Sequence, residues 1–141
     1  MKPTPPLTRF IGEAERTLQA LLKHQLDRAG LRFEEWVTLT IVSGATVPDK
    51  AVLLRQIAAA KVVAPGDEAD LLHAIIQRGH IEGDSALALS AEGRAVFEPL
   101  RDAIRGITSG LFAELPADDL DTTRRVLETV TQRANRFLAE T

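Results

Sequence analysis

Long amphipathic segments towards both ends of the chain constrain its fold most strongly. Between residues 7 and 29, apolar side chains recur at steps of three and four, which is the period of one helix face, and a glycine follows. Residues 91–112 and the segment that begins at Pro116 show the same period. Helices this long have little partner surface inside a small domain, so their apolar faces are buried best against a second copy of the chain. The pattern predicts a mainly α-helical homodimer.

Composition narrows the functional class. The chain has 141 residues, no cysteine and a net charge of -3, so we expect one domain over residues 1–141 without a disulfide or a thiolate metal site. Residues 1–6 are predicted to be a disordered tail or extended arm, not a signal peptide, and no apolar run could cross a membrane. We expect a cytoplasmic location. A glycine-rich phosphate loop, an HExxH pair and a serine elbow are all missing, which predicts a protein that is not an enzyme and needs no cofactor.

Shorter elements occupy the middle of the chain. Helices are predicted over residues 33–42 and over residues 50–60, the latter capped by Asp49. The turn residues at 44–48 separate them. A fourth helix follows the Pro65-Gly66 turn, and residues 80–90 alternate weakly as a short two-stranded hairpin. The predicted order is four helices, a hairpin and two helices.

Three short motifs carry a resemblance to a known family. The first motif is Gly30-Leu31 followed by the segment Phe33-Glu34-Glu35-Trp36-Val37-Thr38-Leu39. The second motif is Ile57-Ala58 followed by Ile75 and Gly79-His80-Ile81. The third motif is the segment Leu89-Ser90-Ala91-Glu92-Gly93-Arg94. In this order and spacing the chain resembles the MarR family of bacterial winged-helix transcription regulators. The resemblance implies an intertwined dimer with dimerisation helices at residues 7–32 and 91–141. It also implies a winged helix-turn-helix at residues 33–90.

The expected DNA-reading region has an unusual charge. Residues 64–86 contain five acidic side chains and one arginine, Arg78. Related recognition helices begin with hydroxyl, small and basic residues, whereas Asp67, Glu68 and Asp70 occupy the matching positions here. Helix capping would account for Asp67 and Glu68, but it does not replace the missing arginines. The family's wing arginine has no counterpart either, so the wing is predicted to be truncated.

Two sets of side chains are the candidate binding residues. Contacts to duplex DNA are predicted for the basic residues of the helix-turn-helix and a nearby histidine, namely Lys50, Arg55, Lys61, His73 and Arg78. The resemblance implies a pocket for a small aromatic or acidic ligand, and the candidate lining residues are Arg9, Arg16, His24 and Trp36. Trp36 could equally be a core anchor.

The histidines suggest two further hypotheses. Asp70, His73, His80 and Glu82 have the donor chemistry of a metal site but not a recognised ligand spacing, so no metal is predicted. Protonation of His73 and His80 in mild acid would offset the local negative charge, which would strengthen DNA binding.

Two functions are compatible with the sequence. The first is a MarR-like homodimeric, DNA-binding transcription regulator modulated by a small ligand. The alternative is a protein of the same fold that has lost DNA binding and acts as a ligand-binding or protein-interaction module. The scaffold favours the first, and the charge of residues 64–86 favours the second.

Overall fold

The computed structural model describes residues 3–44 and 48–141, which form six helices and one antiparallel hairpin. The elements are α1 (Leu7–Ala29), α2 (Phe33–Val42), α3 (Lys50–Ala60), α4 (Glu68–Gln77), β1 (Ile81–Glu82), β2 (Ala88–Leu89), α5 (Ala91–Phe112) and α6 (Ala117–Glu140). The predicted element order is confirmed. Among the helices described, none is both long enough and apolar enough to cross a membrane. The predicted tail at residues 1–6 and turn at residues 44–48 include positions 1, 2 and 45–47, which lie outside the described residues.

Local signals set the helix limits. Helix α1 ends where Gly30 adopts a left-handed conformation with φ of 72°. The Asp49 carboxylate caps α3 by accepting a hydrogen bond of 2.8 Å from the Val52 amide, as predicted. Ser90 caps α5 in the same way, since its hydroxyl accepts from the Gly93 amide at 2.9 Å. Helix α5 continues through Pro99.

The chain forms two compact units, Met1–Arg105 and Gly106–Thr141. In the first unit, α2, α3 and α4 pack on one another around leucine and isoleucine side chains that are fully buried, namely Leu39, Leu53, Ile57, Leu72 and Ile75. Trp36 of α2 stacks on Phe97 of α5, with ring centroids 5.0 Å apart. In the second unit, α6 has no buried residue.

The hairpin is short and is extended by the segment before α3. Ile81 pairs with Leu89 and Glu82 with Ala88. The Leu87 amide donates to the Pro48 carbonyl at 2.9 Å, and an isolated bridge joins Asp49 to Ala86. At the tip, Gly83 has φ of 116°, and a Cβ there would overlap the Ala86 carbonyl oxygen. The wing is therefore a compact turn held against the start of α3.

A second close approach fixes the start of α5. The Ser90 hydroxyl donates to the Gly79 carbonyl, and the Ser90 amide donates to the His80 carbonyl at 3.0 Å. Gly93 is buried against this turn, and a Cβ on it would overlap the His80 carbonyl oxygen. Ser90 and Gly93 therefore hold the start of α5 against the Gly79-His80 turn that follows α4.

Gly93→Ala should destabilise the protein by about 1–3 kcal/mol, because its new methyl group meets backbone that cannot move independently. Gly106→Ala is the matched control, since it lies in the same helix with no atom within 4 Å of its added Cβ, and should stabilise by about 0.5–1 kcal/mol. Urea unfolding at fixed protein concentration measures both changes. Equal effects of the two substitutions would contradict the close approach.

Candidate nucleic-acid interface

Helices α3 and α4 form a helix-turn-helix on the first unit. The inner face of α4 is buried through Leu71, Leu72 and Ile75. The turn before α4 contains Gly66, whose φ is 98°, so the chain reverses at the predicted Pro65-Gly66 position. This packing leaves the opposite face of α4 exposed.

The exposed face of α4 carries Asp70, His73 and Gln77, which we call the α4 stripe. Their spacing of three and then four residues places them on one side of the helix, away from Leu72 and Ile75. A carboxylate, an imidazole and an amide therefore stand where a helix-turn-helix would meet a DNA groove. Sequence inspection identified His73 as a contact but missed Gln77, although the seven-residue spacing from Asp70 indicates it.

The two acidic residues at the start of α4 differ in their environment. The Glu68 carboxylate turns back and accepts a hydrogen bond of 3.0 Å from the Gly66 amide, which stabilises the turn. Asp67 is the N-cap residue, but its side chain makes no capping hydrogen bond. The Asp67 side chain is therefore not a hydrogen-bonding cap, and its backbone is helical, with φ of -92° and ψ of 0°, instead of extended. The Glu68 hydrogen bond goes to an amide before the helix, so it stabilises the turn and does not cap α4.

Three predicted DNA-contacting cations are exposed on the α3 side of the helix-turn-helix. Lys50 is the first residue of α3, Arg55 lies mid-helix, and Lys61 ends the helix in a left-handed conformation with φ of 56°. None of the three forms an ion pair with a residue in ranges 3–44 and 48–141. Their charges are therefore open to an anionic partner.

Arg78 has a different environment from the other predicted cations. Its guanidinium pairs with the Glu35 carboxylate of α2 at 2.5 Å and donates to the Gly30 carbonyl at 3.2 Å. Glu35 is 2% exposed, and its other oxygen accepts from the Arg32 amide at 3.2 Å. Arg78 therefore ties the end of α4 to α2 and to the end of α1. Sequence inspection missed this role of Glu35. The only signal in the sequence is the position of Glu35 in the first turn of α2.

The predicted ligand residues are spread along α1 and α2. Arg9, Arg16 and His24 are exposed on α1, and Arg9 pairs with Glu13 at 3.2 Å. Trp36 is half-buried against Phe97, as a core anchor would be. A cleft of about 400 Å³ between α1 and α2 is lined by other residues, namely Gln19, Lys23, Leu26, Asp27, Leu31, Arg32, Phe33 and Glu34.

The two histidines of this region also differ. His73 is exposed on the α4 stripe, whereas His80 is half-buried, and its Nδ1 has no hydrogen-bond partner among the described residues. In residues 3–44 and 48–141, no three histidine, aspartate or glutamate side chains come together as metal ligands.

Known structures share this arrangement of helices, hairpin and helix-turn-helix. The MarR family protein Rv2887 of Mycobacterium tuberculosis, solved in complex with DNA, superimposes with a TM-score of 0.66 over 90% of this chain and 98% of that one, at 21% identity. The fold is that of MarR-family regulators. Neither a protein-family model nor a curated protein sequence matches the chain, so the fold assignment rests on the structural comparison.

Two further structures with the MarR fold contain small molecules. Rv2887 in complex with salicylic acid has a TM-score of 0.59 at 23% identity, covering 90% of this chain and 99% of that chain. CouR from Rhodococcus jostii RHA1, bound to p-coumaroyl-CoA, has a TM-score of 0.67 at 16% identity, covering 89% of this chain and 91% of that chain. At these identities the likeness concerns the fold, and the predicted winged-helix architecture is confirmed.

The Glu35–Arg78 ion pair should stabilise the fold more than an exposed ion pair does. Arg78→Ala leaves a buried carboxylate with fewer donors, so it should lower the free energy of unfolding by about 1–3 kcal/mol. A double-mutant cycle with Glu35→Gln should give a coupling energy of about 0.5 kcal/mol or more. Lys23→Ala, which breaks the exposed Lys23–Asp27 pair, should cost about 0.5 kcal/mol or less. Additive effects in the cycle would show that Arg78 stabilises the fold in some other way.

Proposed function

We propose that the protein is a homodimeric transcription regulator that binds duplex DNA through α3 and α4 and is not an enzyme. The observation that carries this proposal is the exposed α4 stripe on a fold shared with a DNA-bound relative. Transcription regulation would place it in the cytoplasm.

The charge balance makes this DNA binding dependent on few residues. From residue 48 to residue 90 the chain has six carboxylates and four cations, which are Asp49, Asp67, Glu68, Asp70, Glu82 and Asp84 against Lys50, Arg55, Lys61 and Arg78. Glu68 and Asp49 accept backbone hydrogen bonds, and Arg78 is paired with Glu35. Phosphate neutralisation therefore falls to Lys50, Arg55 and Lys61 in each protomer.

The apolar face of α6 supports dimerisation. Val126, Leu127 and Val130 are 41–46% exposed, and Phe137 and Leu138 are 72–73% exposed. A helix of 24 residues with an apolar stripe and no buried residue has to bury that stripe elsewhere. The same stripe exists in every copy of the chain, so a second copy offers a self-complementary partner.

Val130→Glu should shift the dimer towards monomer, because it places a charge in the centre of the α6 stripe. Gln132→Glu adds the same charge to the same helix on the opposite face and should leave the dimer intact. Sedimentation equilibrium measures both. A dimer that is equally stable in the two variants would contradict an α6 interface.

A small acidic or aromatic ligand is proposed as the modulator. The proposal is supported by the salicylic acid complex of Rv2887 and the p-coumaroyl-CoA complex of CouR. In this chain, Arg9, Arg16, His24 and Trp36 remain the candidate ligand residues. An arginine would pair with the ligand carboxylate, and the half-buried Trp36 indole would pack on its ring.

DNA binding is tested with the purified dimer and a fragment from around its own coding region at low and moderate salt. The affinity should be sequence-selective and should fall as salt rises. Arg55→Ala and Lys61→Gly should each weaken binding to all sequences and reduce the salt slope by about one per cation removed. Glycine is chosen at position 61 because it accepts the left-handed backbone.

Arg124→Ala is the control for net charge, since it removes a cation from α6, outside the helix-turn-helix. It should leave the salt slope unchanged. If no DNA is bound even at low salt, the regulator proposal fails, and the alternative of a ligand-binding or protein-interaction module takes its place.

A further inference from the structure

The α4 stripe has an unusual set of hydrogen-bonding groups for a DNA-reading surface. It presents a carboxylate from Asp70, an imidazole from His73 and an amide from Gln77, all exposed and all on one face. Arg78, which directly follows Gln77 in the chain, pairs with Glu35 at 2.5 Å. Arginine contact with guanine, the commonest specific contact in the major groove, is therefore not available from the stripe itself.

The groups that are present select different bases. An ionised carboxylate only accepts hydrogen bonds, so Asp70 matches the N4 amino group of cytosine and is repelled by the O6 and N7 acceptors of guanine. A glutamine amide both donates and accepts, so Gln77 can bind adenine at N6 and N7 together. His73 offers one donor and one acceptor when neutral, and it discriminates less among bases.

We infer that Asp70 and Gln77 determine the sequence specificity of this protein, Asp70 by selecting cytosine and Gln77 by selecting adenine. This inference rests on the proposed function. Along a helix that lies in the major groove, seven residues rise about 10 Å, and that distance spans about three base pairs at about 3.4 Å per pair. The two selected bases therefore lie about three base pairs apart in each half-site.

In vitro selection from a duplex library with a randomised centre tests the inference with the full-length protein. The wild type should enrich cytosine and adenine at this spacing. Asp70→Asn converts an acceptor into a donor-and-acceptor pair of the same size, so it should change the selected cytosine to adenine at that one position. Gln77→Ala should relax the adenine position by about 5- to 150-fold in relative affinity.

Asp84→Asn is the matched control for Asp70→Asn. It removes the same negative charge from the exposed hairpin tip between β1 and β2, outside α4. Both variants should bind all DNA more tightly, because each removes one repulsion of the phosphate backbone. Only Asp70→Asn should change the selected base.

The outcomes separate the two proposals. If the wild type enriches a sequence that Asp70→Asn and Gln77→Ala leave unchanged, the inference is overturned while the regulator proposal stands. If Asp84→Asn changes the selected base as Asp70→Asn does, the effect is one of charge, and the inference is also overturned. If the wild type enriches no sequence at low salt, both fail.

Discussion

The buried Glu35 carboxylate is the constraint on which the placement of α4 depends. It is 2% exposed on α2, so its charge has to be met by donors, and Arg32 and Arg78 supply them. Because Arg78 also donates to the Gly30 carbonyl, one guanidinium joins the ends of α1 and α4 to α2. Movement of α1 relative to α4 would break this arrangement, so a proposed dimerisation helix is in direct contact with the proposed recognition helix.

The same interaction explains part of the charge anomaly. Arg78 is the one arginine of residues 64–86, and its pairing with Glu35 gives it a structural task in addition to any contact with DNA. Glu68 likewise stabilises the turn before α4 by accepting from Gly66. Asp67, Asp70, Glu82 and Asp84 remain as exposed acidic residues. The excess of negative charge on the proposed DNA face is therefore genuine, and structural roles account for only part of it.

The fold was predictable because its boundaries depend on local signals. Gly30 ends α1, Asp49 begins α3 and Ser90 begins α5, and each acts through backbone groups within a few residues. The role of Arg78 could not be predicted in this way, because its partner Glu35 lies 43 residues earlier in the chain. The free Asp67 side chain was also unpredictable, since capping depends on a backbone conformation that its residue type does not determine.

Folding and the proposed DNA recognition use opposite faces of α4. Leu71, Leu72 and Ile75 bury one face and hold the helix in the domain, while the α4 stripe is exposed on the other face. The cations that remain for DNA lie outside α4, and Lys61 holds a left-handed conformation that costs a lysine about 1 kcal/mol more than the unstrained alternative. A glycine would avoid that cost but would remove one of three open charges. The chain therefore keeps a positive charge at the end of α3 at a conformational cost that a glycine would avoid.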